Sequence, residues 1–162
     1  IRALLTGELK RIRVGPFEAE WEHSLALVEA RIKEPNTLTM SPEPAIERGD
    51  PAQAEMDPAA LADTSPKAAV IEAYRCIEAE LHRQIGHKFK ARGTTANKLV
   101  RAAAEAGEID SLVPKAVDEL KYLRNLAANG GEGPSSDQAL SYVKAAGDVI
   151  TTIRNSNNNR AS

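Results

Sequence analysis

The stretch that decides the fold is Leu120-Lys121-Tyr122-Leu123-Arg124-Asn125-Leu126-Ala127-Ala128-Asn129-Gly130. Leu120, Leu123 and Ala127 stand three and four apart and form one apolar face of a helix. Lys121, Asn125 and Asn129 stand four apart on another face, with Arg124 beside them. Gly130 and Gly131 then end the helix. A buried stripe and a basic, amide-rich stripe therefore share the last turns of one element. This is either an ordinary surface helix end, where basic residues suit the dipole and Asn-Gly supplies the cap, or a polar cluster that binds a phosphate through Arg124.

Outward from this stretch, helical patterns continue on both sides. Upstream, residues 109–128 form the same helix, with Pro114 in its first turn and regular helix starting near Leu112. Before it, Thr94 or Thr95 caps a helix that carries Leu99, Val100 and Ala103 and closes at Gly107. Ser65-Pro66 opens an earlier helix that runs to about Gln84, with Val70, Tyr74, Ile77 and Leu81 on one face. Downstream, Ser135 and Gln138 give a capping box, and the last helix carries Leu140, Val143, Val149, Ile150 and Ile153. The expected architecture is mainly α: an antiparallel four-helix bundle over residues 65–154, with short connections and a polar, frayed tail at 155–162.

The N-terminal part reads differently. Residues 9–14 and 17–22 look like two strands around a Gly15-Pro16 turn. In the second, Phe17, Ala19 and Trp21 alternate with Glu18, Glu20 and Glu22. A helix at 23–33 follows, with Leu25, Val28 and Ile32 at helical spacing. Residues 1–33 are thus expected to be a β-hairpin plus helix. Residues 34–64 hold Pro35, Pro42, Pro44, Pro51 and Pro58 without sustained periodicity and read as an acidic linker. Within it, Asp57-Pro58 can start one helical turn.

Composition bounds the function classes. The chain has 162 residues, with 42% hydrophobic, 27% charged and only 4% aromatic residues. That is ordinary for one main globular domain, and abundant alanine suits close-packed helices. A single cysteine, Cys76, excludes an intrachain disulfide and reads as a buried thiol in a reducing, cytoplasmic setting. No apolar run is long enough to cross a membrane. The chain begins at Ile1, so an upstream sensor or membrane anchor is an expectation the sequence leaves open. Residues 34–66 hold seven acids against Arg48, a net of −6; with −2 for the whole chain, the remainder carries +4. Mild basicity permits nucleic-acid binding. Lys88, Lys90 and Arg92 form a short basic loop that is either a solvated turn or a contact to phosphate backbone. No metal site is expected: His82 and His87 are five apart across Gly86 and share no face, and His23 has no partner ligand. No cofactor motif is present.

The run Leu123-Arg124-Asn125-Leu126-Ala127-Ala128-Asn129-Gly130, late in the third helix of a four-helix domain, resembles the HEPN superfamily. It is similar to the bacterial branch whose third helix ends in LRN-x-AAHG. The resemblance covers Ser65 to about Ile153 and leaves the hairpin and linker outside. It implies a homodimer, packed through the third and fourth helices, in which two copies of a motif form a metal-independent ribonuclease site of toxin or antiviral-defence type. That motif is an arginine, a polar residue and a following histidine. Arg124 matches the arginine, Asn125 the polar residue, and Asn129 falls where the histidine stands.

That departure has a chemical cost. Cleavage of RNA by its own 2′-hydroxyl needs proton transfer, which imidazole performs near neutral pH and a carboxamide does not. Losing the general acid–base group costs a factor of about 100 to 10,000. Asn129 still hydrogen-bonds a phosphate or ribose, Arg124 still meets developing charge, and Lys121, Lys88, Lys90 and Arg92 still suit RNA. The resemblance thus implies an attenuated or inactive ribonuclease. The alternative is a non-catalytic dimerisation or partner-binding module. A further option is that His82 or His87 replaces the missing histidine in space.

Overall fold

The computed structural model describes residues 16–32, 57–89, 94–129 and 133–159. Among these, six helices and no strand are found. They are α1 (Pro16–Ile32), α2 (Pro58–Thr64), α3 (Pro66–Ile85), α4 (Ala96–Glu105), α5 (Val113–Asn129) and α6 (Ser136–Asn158).

The hairpin expectation fails where it can be checked. Residues 17–22 are the first turns of α1, and residues 9–14 lie outside the described residues. The alternation of Phe17, Ala19 and Trp21 covers too few residues to separate the two periods. Carried further, the pattern is helical: Phe17, Trp21, Leu25, Val28 and Ile32 recur every three or four residues. Pro16 begins the helix, where its missing N–H costs nothing. Trp21 and Val28 are fully buried. Trp21 stacks on Phe17 at 5.6 Å and packs against Tyr142 at 5.9 Å between ring centroids. Tyr122 donates to Glu20 at 2.8 Å. Farther along, Arg31 donates to the Lys115 carbonyl at 3.3 Å and pairs with Glu119 at 3.6 Å. These contacts lay α1 antiparallel along α5, with its apolar face also against α6.

The boundaries of the remaining helices follow their local chemistry. Asp57 caps α2 by accepting from the Ala59 N–H, and the helical turn expected after Asp57-Pro58 runs on to Thr64. The rest of the proline-rich stretch, residues 34–56, lies outside the described residues. Gly107 takes a φ of 71° after α4, a left-handed turn that glycine tolerates. The capping box of Ser135 and Gln138 is present at the start of α6. That helix continues through Asn158, past the point where fraying was expected. Gln84 holds this end by accepting from Asn157 at 2.6 Å.

The helices do not alternate in direction as an antiparallel bundle requires. Tyr74 donates to Asn97 near the start of α4, and Lys88 pairs with Glu108 just beyond its end, so α3 and α4 run the same way. α5 then starts from that far end and brings Arg124 back over Tyr74. In α6, Tyr142 donates to the Leu120 carbonyl near one end and Arg154 reaches Glu80 near the other. α6 therefore runs with α3, and α5 opposes α3, α4 and α6.

The core is one cluster fed by all six helices. Leu120, Leu123 and Ala127 are fully buried, as their spacing predicts. The inner face of α6 is different from expectation: Ala139, Tyr142, Ala145, Ala146, Val149 and Ile153 are buried, while Leu140 is exposed. Three alanines let α6 approach its neighbours closely, and this outweighs the larger side chain one position away. Cys76 is half-buried rather than buried.

Candidate functional site

A cleft of about 460 Å³ opens between α3, the start of α4 and the second half of α5. Tyr74, Glu78 and His82 line it from α3, Thr94, Thr95 and Asn97 from the α4 entrance, and Lys121 and Arg124 from α5. The α3 residues stand four apart, so they share a face. Lys121 and Arg124 stand three apart, at the edge of the buried stripe.

Arg124 is held by more than its own helix. Its guanidinium carbon lies 4.9 Å from the Tyr74 ring centroid, a cation–π contact. Its Nε is fully buried and has no hydrogen-bond partner among the described residues. The Tyr74 hydroxyl donates to Asn97 Oδ1 at 3.2 Å. Asn97 Nδ2 in turn donates to Asp118, which also receives Arg101 at 2.9 Å. The chain Arg101–Asp118–Asn97–Tyr74 therefore fixes the ring on which Arg124 rests. Burial, reinforced by Glu78 and Asp118 against the opposing pull of Arg124, pushes the Tyr74 hydroxyl up to about 12. Tyr74 is thus a neutral hydrogen-bond donor throughout the physiological range.

The residues singled out by sequence separate into four groups. Lys121 and Arg124 come together in the cleft. Asn125 and Asn129 are exposed and stand outside its lining. Lys88 is turned to Glu108 at 2.9 Å, and Lys90 and Arg92 lie outside the described residues. His82 lines the cleft beside Glu78, whereas His87 is exposed in the turn after α3 and is not part of it. Tyr74 stood in the apolar face of its helix, and nothing in the sequence set Glu78 or Asn97 apart. Their proximity to Arg124 depends on how three helices pack, which no local pattern encodes.

The helix pair expected to form a dimer face carries α1 on part of its surface. No group of histidine, cysteine and carboxylate side chains able to hold a metal ion occurs among the described residues. No described helix is long and apolar enough to cross a membrane. Searches of family models, curated proteins and solved structures return no match to this chain.

Proposed function

We propose that this chain is a HEPN-like helical domain acting on RNA, built as a metal-independent ribonuclease and attenuated because Asn129 stands where that family's motif has histidine. The observation that carries the reading is Arg124: a guanidinium resting on Tyr74, with Lys121 one turn away, in a cleft large enough for a nucleotide phosphate. In this reading Arg124 neutralises charge on the phosphodiester, Lys121 adds to the backbone contact, and Asn125 and Asn129 hydrogen-bond the strand. Two copies bring their exposed Asn125 and Asn129 faces together, as the family resemblance implies.

A second reading, a partner-binding module without catalysis, is favoured by the exposure of Asn125 and Asn129 away from the cleft. The two part on RNA cleavage in the presence of EDTA. The Asn129→His variant is expected to cut single-stranded RNA faster than the parent chain by about 100-fold or more. Adding Arg124→Ala to it is expected to abolish the gain. Light scattering is expected to find a dimer at micromolar concentration. A folded Asn129→His protein that cuts no RNA leaves the module as the surviving reading.

A further inference from the structure

We propose that His82 and Glu78 form a proton-transfer pair in the Arg124 cleft, which carries the residual RNA cleavage of the chain with asparagine at 129. This rests on the ribonuclease reading and supplies the proton transfer that Asn129 does not. Glu78 and His82 are one turn apart on the same face of α3, and both line the cleft that Lys121 and Arg124 line from α5. A carboxylate and an imidazole thus face two cations across one opening. The other charged group lining the cleft is Arg75 on α3, which is engaged with Glu72 at 2.7 Å. Residues 94–97 contribute no charge.

The arrangement supplies what transphosphorylation of RNA requires. Arg124 and Lys121 bind the non-bridging oxygens of the phosphodiester. Glu78 takes the proton of the 2′-hydroxyl as O2′ bonds to phosphorus. The P–O5′ bond breaks, and the His82 imidazolium gives its proton to O5′. The products are a 2′,3′-cyclic phosphate and a 5′-hydroxyl. The proton on Glu78 returns to His82 through water, which restores both groups without a metal or cofactor. Tyr74, held by Asn97, is a positioning residue that keeps Arg124 in place.

The test is cleavage of a single-stranded RNA oligonucleotide in EDTA, with end-group analysis. It compares the intact chain, His82→Gln, His82→Ala, His87→Ala and Asn129→His. Circular dichroism checks that each is folded, and anisotropy with an uncleavable 2′-deoxy analogue measures binding. The intact chain is expected to yield cyclic-phosphate ends. Both His82 variants are expected to cut about 100-fold more slowly and bind the analogue as before. His87→Ala is expected to behave as the intact chain. If the intact chain cuts and the His82 variants cut equally well, the His82 assignment is overturned and the ribonuclease reading stands. The same holds if only Asn129→His cuts. If neither the intact chain nor Asn129→His cuts, both fall together.

Discussion

Glu80 is the buried charge on which the end of the bundle turns, and removing Arg154 is the perturbation that reveals it. The Glu80 side chain is only 6% exposed. Arg154 donates to both its oxygens, at 3.0 and 3.2 Å, and Arg83 does so at 2.8 and 3.4 Å. Gln84 adds one bond at 2.8 Å. Burial alone raises the carboxyl, but the hydrogen bonds from Arg154, Gln84 and Arg83 outweigh it and hold Glu80 below the usual carboxylate range. Arg154→Met keeps the aliphatic stem and removes two of the charge-assisted bonds. Breaking a fully buried pair costs about 3–5 kcal/mol. Arg154 is 35% exposed, so water re-enters beside Glu80, and about 2 kcal/mol is expected. Arg83 is 50% exposed and sits on the same helix as Glu80, so Arg83→Met is expected to cost only about 0.5 kcal/mol. Urea unfolding followed by fluorescence of Trp21, the single tryptophan, measures both.

The difference between Arg154→Met and the parent is also pH-dependent. Glu80 ionises more readily folded than unfolded. Its contribution is full above the unfolded carboxyl value of about 4.3 and is lost as pH falls through the lower folded value. The two unfolding curves are therefore expected to be well separated at neutral pH and to converge as pH falls below the unfolded carboxyl value. If Arg83→Met destabilises as much as Arg154→Met, or if the Arg154 effect is unchanged in acid, the assignment of Glu80 as an arginine-held buried carboxylate is refuted.

Other perturbations report on other parts of the molecule. Trp21→Ala is expected to cost about 3–5 kcal/mol; Trp21→Phe is expected to cost much less, because the indole N–H has no hydrogen-bond partner among the described residues. Thermal melts by circular dichroism distinguish the two. In an alkaline titration by ultraviolet absorbance, none of Tyr74, Tyr122 and Tyr142 is expected to ionise at the ordinary tyrosine value of about 10. Since folding raises these hydroxyls, the stability they contribute is present below that value and lost as pH rises through the folded ones, Tyr74 near 12. A three-tyrosine transition at pH 10 in the folded protein overturns this. Gly107→Ala is expected to lose about 1 kcal/mol, because alanine is strained at a φ of 71°, and a denaturant midpoint equal to that of the parent contradicts it.

The sequence by itself determined that the chain is mainly helical and where most of its helices start and stop. Those features are local. Proline at a first turn, the Ser135–Gln138 box and the glycine after α4 act on their immediate neighbours, and an apolar stripe as long as Leu120, Leu123 and Ala127 selects one period. Local information failed where it was too brief, as in the six residues from Phe17, or where small residues carried the packing, as on the alanine face of α6. Helix direction and the cleft were decided only by tertiary structure. α4 packs parallel to α3, and that placement brings Asn97 to Tyr74 and frames Arg124 with Glu78 and His82. No spacing within one helix contains that information. The three elements meet because burying their apolar stripes together favours one arrangement of the whole chain.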